Sequence, residues 1–320
     1  MRYVPATETA ILNMIKETDG EKYEEVRSLN QDLTFKEAEE FFGMENVPFG
    51  LNHHKTLHLQ TTDGVYTNLG LLLSDQSVHT VKLAVFEGLE KEVFKDRREF
   101  SGSLLKQLYE INEHLNLHNR THAEIKGLIR LENQDYPEDA LREALLNALV
   151  HRDYAFSSST IISIFDNRIE FVSIGGLPKG VSLDDIMLGI SVPRNEKLAN
   201  IFYRLHLIEA YGTGIPKIMR SYAECKRKPE LQATGNAFKI TLPNRNMNNH
   251  KVIGNNISFT ENEEKVIALL NKQNEIVRKD IEAALSISQA MAVRILRGLL
   301  DKGAIRAIGG GKKTRYVKSY

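Results

Sequence analysis

Between residues 140 and 216 the chain sets out four segments in order. They are a helix with a polar stripe, a two-strand hairpin, a double-glycine loop, and a Gly-x-Gly turn leading into a second helix-compatible run. The first helix is LREALLNALVHRDY, starting at Leu141. Glu143, Asn147 and His151 stand at i, i+4 and i+8, so at about 100° per residue they drift by only about 80° and share a face. Leu141, Ala144, Leu145 and Ala148 fall toward the other face, which can pack on a sheet. A carboxylate, an amide and an imidazole in one stripe suit a metal–phosphate site. The carboxylate can orient or deprotonate water, and the amide oxygen can ligate Mg2+. The same spacing also describes an ordinary solvated helix face, and alone it is common by chance.

The segments that follow sharpen the pattern. Thr160 to Phe165 and Arg168 to Ser173 are β-rich, and Asp166-Asn167 between them suits a tight turn. Gly175-Gly176-Leu177-Pro178 comes directly after the second strand. Tyr211-Gly212-Thr213-Gly214-Ile215 precedes the run PKIMRSYAE. Glycines before a helix let backbone N–H groups approach phosphates at its positive end. Either loop alone is weak, since glycine marks ordinary turns. The order of all four segments is far more specific.

Upstream, NLGLLL followed by VKLAVFEG reads as a helix and then a strand, and residues 101–118 read as helical. Pro137-Glu138-Asp139 is a helix start, with proline in the first turn and acids at the positive dipole end. Two histidine sets, His53/His54/His58 and His114/His118/His122, have spacings that zinc can use. The sequence supplies neither with a convincing carboxylate or thiol partner. Downstream, the segment Pro243 to Ser258 holds six asparagines and reads as a linker.

The last 60 residues carry their own pattern. Thr260 with Glu263 forms a capping box. A helix to about Asn271, a short extended Ile276-Val277, and a second helix from Arg278 to Ala284 follow. Ser286-Ile287-Ser288 is a turn, and Gln289 to Lys302 is a third helix ended by Gly303. Ala304–Ile308 and Arg315–Lys318 then read as a hairpin. From Arg294 to Tyr320 there are eight basic residues and one acid, a local excess of +7, although the whole chain is balanced at 42 basic and 42 acidic residues. Such asymmetry points to an anionic partner. The outward face of the third helix, with Ser288, Gln289, Arg294 and Arg297, can meet base edges and backbone. Lys312, Lys313 and Arg315 on the hairpin can meet phosphates. Dimerisation or protein contact is the competing use of such a unit. Gly309-Gly310-Gly311-Lys312-Lys313-Thr314 is not a phosphate loop, because G-x-x-x-x-G-K-[ST] needs a different spacing, so a helicase motor is not expected.

No apolar run approaches the roughly 18–20 residues that span a bilayer, and MRYVPATETA lacks a signal-peptide core. A single cysteine, Cys225, excludes an internal disulfide and a cysteine-rich zinc site. The expectation is a cytoplasmic protein with no membrane partner.

The stretches ALREALLNALVHRDY, FDNRIEFVSIGGLPKG and AYGTGIPKIM resemble the gyrase, Hsp90 and histidine-kinase (GHKL) type of ATPase fold, over about 130–245. The version they look closest to is the divergent one in RecG-like, ATP-dependent DNA helicase-related proteins. SLNQDLTF, TNLGLLLSD, KLAVFEG and DRREFSGSLLKQL resemble the later part of the AlbA-type DNA-binding domain that precedes it there, so the chain is expected to begin inside that domain. The C-terminal unit resembles a winged helix–turn–helix. The resemblance implies an α+β protein: an N-terminal α/β remnant (1–125), a two-layer α/β sandwich of GHKL type (126–243), a linker (244–258) and a winged helix (259–320). It implies ATP and Mg2+ as ligands. Glu143 would be the water-activating carboxylate and Asn147 the Mg2+ ligand. Gly175 and Gly176 would lie beneath the adenine, and Gly212 and Gly214 would form the phosphate loop. His151 and Thr213 complete the expected nucleotide-binding set. One departure stands out. The fold's Asp-x-Gly-x-Gly acid is missing, the equivalent place reading Ser173-Ile174-Gly175-Gly176, and Asp166 lies in the hairpin. Losing that acceptor would cost roughly a few kcal/mol of adenine discrimination. The expected function is a DNA-binding transcriptional regulator, homodimeric on double-stranded DNA. A slow Mg-dependent ATPase and a regulator with a ligand-free dimerisation scaffold are the alternatives.

Overall fold

A computed structural model describes residues 22–126, 128–209, 211–247, 259–273, 275–301, 304–308 and 314–318. Of the residues expected at functional sites, Lys312 and Lys313 lie outside these ranges, as do most of the linker and the Gly303 helix stop. The chain divides into two compact units, 1–250 and 251–320.

The first unit is a mixed α+β structure built on one six-stranded sheet. Its strands are β1 (Val81–Glu87), β2 (Val93–Phe100), β5 (Thr160–Ile164), β6 (Arg168–Ile174), β7 (Glu230–Ala233) and β8 (Ala237–Pro243), in the order β2-β1-β5-β6-β8-β7. A separate hairpin pairs β3 (Thr121–Lys126) with β4 (Ile129–Gln134). Only β1 and β5 run parallel; the other pairs in the six-stranded sheet are antiparallel. The registers align Leu83, Ile162, Phe171 and Ile240 in one row across four strands. All four are buried. Alternation puts Lys82, Ser163, Glu170 and Lys239 on the opposite face, which is polar although Ser163 and Glu170 are themselves buried.

The cover is helical. The helices of this unit are α1 (Lys36–Met44), α2 (Leu51–Thr56), α3 (Asn68–Leu73), α4 (Leu104–His118), α5 (Glu138–Val150), α6 (Leu183–Met187), α7 (Glu196–Arg204) and α8 (Gly214–Ser221). Helix α5 starts at Pro137 with Glu138 and Asp139 in its first turn and buries Ala140, Leu141, Ala144, Leu145, Ala148 and Leu149. It packs on β6 and β8, on α4, and most extensively on α8. Each buried leucine contributes roughly 1.5–3 kcal/mol, so this apolar face anchors the polar stripe in place.

A division expected at 125/126 falls inside β3, and the sheet carries strands from both sides of it. β1 and β2 pair onto β5, and one continuous core runs from Leu33 to Leu242. The physical reason is that the backbone edge of VKLAVFE that β2 leaves unpaired takes Thr160–Ile164 as its neighbour, so β1 and β2 form no sheet of their own.

The second unit holds α9 (Glu261–Lys272), β9 (Ile276–Val277), α10 (Arg278–Leu285), α11 (Gln289–Asp301), β10 (Ile305–Ile308) and β11 (Arg315–Lys318). The Thr260–Glu263 capping box is formed. Ser286 adopts a left-handed conformation at the end of α10, and α10 and α11 meet at 115°. β11 lies between β10 and β9 in a three-stranded sheet. Val266, Leu270, Ile281, Ile295, Leu296 and Leu299 form a core of its own. Among the described residues, no single helix is long and apolar enough to cross a membrane.

Candidate functional site

The polar stripe of α5 faces α8, and the two helices meet at a glycine. A Cβ placed on Gly214 would sit 3.0 Å from Glu143 Oε2 and 3.3 Å from Asn147 Nδ2. Any other residue there would push the two side chains away from the helix start. The Asn147 amide nitrogen donates to the Glu143 carbonyl at 2.7 Å, which fixes the side chain and leaves its oxygen as an acceptor. The Glu143 carboxylate is largely buried. It lies 2.9 Å from Arg142 Nη1 and 3.8 Å from Lys217 Nζ. Burial pushes its carboxyl above the ordinary glutamate value, with Arg142 and Lys217 acting in the opposite sense. A base held this way is displaced toward neutral pH, the direction that general-base work favours.

The Gly-x-Gly turn is shaped by a close backbone approach. Gly212 has φ +66°, and a Cβ on it would fall far inside 3.0 Å of the Gly189 carbonyl oxygen. Only glycine allows the 211–214 turn to lie against the loop that follows α6. Thr213 is the N-cap of α8, and its hydroxyl donates to Glu209 at 2.9 Å. At the other loop, Gly175 has φ +105° and abuts Asp153 and Arg194, and a Cβ on Gly176 would meet the Thr234 and Gly235 carbonyls. Both positions are required by close approach and not merely by a turn.

Glu143, Asn147, His151, Gly175, Gly176, Gly212, Thr213 and Gly214 all line one cleft of about 220 Å³, open at its mouth. Three segments separated by up to 71 residues therefore converge on one space. His151 follows the last turn of α5 and is pulled down to about 4 by burial and by Arg194, so it is neutral at physiological pH. It can donate or accept a hydrogen bond but brings no charge.

Sequence reasoning missed several lining groups. Arg194 Nη2 donates to the Gly176 carbonyl at 2.8 Å, and Nη1 lies 3.5 Å from Asp153 Oδ2. Behind the cleft wall, Asn195 is buried and donates to the carbonyls of Val150 and Arg152, both at 2.8 Å, tying the start of α7 to the end of α5. The segment from α6 to Arg194 supplies Ile186, Ile190 and Val192 to the wall. No local spacing announces these residues, because they reach the cleft through tertiary packing. Asp166 is not among the residues that line the cleft. It sits in the β5–β6 turn, accepts from the Gly88 backbone at 2.8 Å and pairs with Lys95, at the opposite end of β6 from Gly175.

Residues 158–242 match the family described as "Putative ATP-dependent DNA helicase recG C-terminal". An ATPase-like, RecG-related domain is therefore present in the first unit. No curated protein matches the chain. Among solved structures, the DIP2311 protein from Corynebacterium diphtheriae, a structural-genomics target, aligns with a TM-score of 0.61 at 18% identity. The alignment covers 98% of this chain and 68% of that one. At that identity the likeness concerns the fold alone.

In the second unit, Ser288, Gln289, Arg294 and Arg297 are all exposed on or just before α11. Ser288 Oγ accepts from Met291 N at the helix start. Val293 and Met291 are also exposed, so Met291 belongs to the outer face and not to the core. Arg315 lies on β11 and is ion-paired with Glu275, which reduces its availability to an outside phosphate.

Proposed function

We propose that the protein is a DNA-binding transcriptional regulator whose first unit binds a magnesium–nucleotide in the cleft between α5 and α8. The observation that carries the nucleotide reading is the close approach of Glu143 and Asn147 to Gly214, so near that a Cβ there would crowd both side chains. A carboxylate and an amide side chain beside a glycine-opened helix start form a set suited to a hydrated divalent cation and a phosphate. The family match supports the same reading. Asn147 would hold the cation. The backbone N–H groups of Gly212, Thr213 and Gly214 would donate to phosphate oxygens at the positive end of α8, with Lys217 one turn further on. A bound Mg2+ would neutralise charge on the phosphates and orient them. Glu143 would take a proton from water, its raised carboxyl suiting that task. Arg142 and Lys217 hold it in place. The finer fold assignment, a divergent GHKL sandwich, belongs to this proposal.

The base end fits less completely. Arg194 lines the cleft with Gly175 and Gly176, and the Asp153 carboxylate that abuts Gly175 is paired with Arg194. The Gly175 N–H is already given to the Asn236 carbonyl at 2.9 Å. Base selectivity would then rest on shape and on Arg194, and hydrolysis would be slow.

For the second unit we propose a winged helix. Two helices meeting at 115° across a short turn, backed by a three-stranded sheet, suit that assignment. α11 would enter the major groove, and a homodimer would match a two-fold operator. The reading is tested by titrating a fluorescent ATP analogue into wild type, Asn147→Ala and Glu143→Gln, with and without Mg2+. Mg-dependent binding lost in Asn147→Ala and kept in Glu143→Gln, with turnover lost in Glu143→Gln, is the expected result. Absence of binding at millimolar nucleotide, with DNA binding intact, would leave a ligand-free scaffold.

A further inference from the structure

The first unit carries a second group of metal-ligating side chains, away from the α5–α8 cleft. His114 and His118 lie one turn apart near the end of α4, and Asp96 lies on β2. Their donor atoms all fall within 4.8 Å of one another. The sequence suggested His114, His118 and His122 as a set. The fold separates them, because α4 ends at His118. His122, on β3, is exposed and sits 3.0 Å from Asp135. In place of His122, the fold brings a carboxylate that no local spacing could reveal.

We propose that Asp96, His114 and His118 form a binding site for a divalent transition-metal ion of the zinc type. His114 is buried, and its Nδ1 has no hydrogen-bond partner. A buried imidazole with an unmet nitrogen costs free energy unless something satisfies it. Its Nε2 is 3.3 Å from Asp96 Oδ2. Two ligands each about 2.0–2.2 Å from a tetrahedral ion sit roughly 3.3–3.6 Å apart, so this pair already has the spacing of a shared ion. Asp96 Oδ1 is occupied by the Arg97 N–H at 2.8 Å, which turns Oδ2 toward the histidines. The rings of His114 and His118 meet edge to face at 4.9 Å.

The backbone is built to aim Asp96 inward. β2 is an edge strand, and its pairing with β1 slips between Val85 and Phe86, so Asp96 lies opposite Val85 and Phe94 lies opposite Phe86. Lys95 is the extra residue of a β-bulge. Bulges re-aim side chains, and they occur next to functional sites. Asp96 therefore shares the helix-covered face with Val85. An inward charge on an edge strand also discourages edge-to-edge pairing. That role does not call for two imidazoles beside the charge.

Two imidazole nitrogens and one carboxylate oxygen favour zinc, iron(II), cobalt or nickel over magnesium or calcium. Three protein ligands leave a fourth position for water. Asp96 and His118 are partly exposed, so the ion has a path in. The ion would clip the end of α4 to the sheet edge.

The test uses the full chain without a histidine tag, stripped with chelator, and titrated with Zn2+ by calorimetry and with Co2+ by visible absorption. One Zn2+ per chain, visible Co2+ bands, and at least tenfold weaker binding in both Asp96→Asn and His118→Gln are expected, with His122→Ala unchanged. Far-ultraviolet circular dichroism of each variant shows whether it folds. The partly exposed Asp96 and His118 are the substitutions chosen, to spare the buried His114. Binding that survives both substitutions, binding lost equally in His122→Ala, or no Zn2+ binding by the folded wild type would each overturn the proposal.

Discussion

Replacing Gly212 by alanine isolates the close approach that shapes the cleft. At φ +66° an L-residue costs about 1–2 kcal/mol. The added Cβ also falls far inside 3.0 Å of the Gly189 carbonyl oxygen, a contact with backbone that no rotamer can relieve. One loop must move by about 1 Å, and a displacement of that size at a positioned site can cost on the order of 100-fold in binding or rate. Gly180→Ala is the matched control. Its φ is +83°, and its Cβ would point into open space, so it carries the backbone cost without the clash. Thermal unfolding of the two variants measures the difference, and nucleotide titration measures its effect on the cleft. Gly180→Ala should lower Tm by about 2–8 °C and leave nucleotide affinity unchanged. Gly212→Ala should lower Tm further and weaken binding at least tenfold. The stability comparison stands even without a ligand. If the two variants behave alike in both assays, the argument from the Gly189–Gly212 approach is wrong.

Three other perturbations test separate parts of the structure. Arg152 is fully buried and donates to the carbonyls of Thr80 and Ser158 and toward His79 Nδ1, with its guanidinium 5.0 Å from the Tyr154 ring. Arg152→Met orphans these acceptors and should cost about 2–4 kcal/mol in urea unfolding, and a loss under about 1 kcal/mol would contradict that role. His79 and His151 are both pulled to about 4, mainly by burial. Below pH 6.5 the unfolded chain therefore binds protons that the folded chain refuses. Stability should fall as pH drops from 6.5 to 4 and level off below, by roughly 2 kcal/mol at pH 5 for the buried His79. His79→Gln should show a shallower decline between pH 7 and 5, and an unchanged decline would remove His79 from the account. On α11, Arg294→Ala with Arg297→Ala should flatten the salt dependence of DNA binding by roughly 0.9 in log–log slope for each phosphate contact removed. An unaltered slope would take that face off the DNA.

What the sequence revealed depended on whether a signal was local. Helix α5 was legible because proline, two acids and an apolar period of 3.6 all lie within its own span. The Asp166-Asn167 hairpin and the Thr260 capping box were legible for the same reason. The glycines were legible as turns, but their actual constraint is an approach by distant backbone: Gly189 to Gly212, and Thr234 and Gly235 to Gly176. Arg194 and Asn195 carry no spacing signal, because their partners are carbonyls in other segments. Residues 81–100 were read as part of a separate N-terminal domain. Nothing within VKLAVFE reveals that its neighbour in the sheet lies 79 residues later. Histidine spacing was also misleading in this way: the i, i+4 pair was visible, whereas its carboxylate partner came from a strand behind it in sequence.

The two ends of the cleft therefore make different demands. At α8, Gly214 leaves room for Glu143 and Asn147, so a side chain added at Gly214 displaces both. At Gly175, the backbone groups that would read a base edge are already spent, on Asn236 and on Arg194. Arg194 is in turn held by Asp153. A ligand gripped at α8 by its phosphates would gain most of its affinity there and little of its selectivity at the other end. Arg194 offers only donors to a base, so whatever selectivity remains should favour a base edge that presents acceptors. Comparing ATP and GTP analogues in wild type and Arg194→Met separates the two ends. Arg194→Met should change the ratio of the two affinities and leave the Mg2+ dependence intact. A loss of Mg2+ dependence in that variant would mean that the ends are coupled and that this division of labour is mistaken.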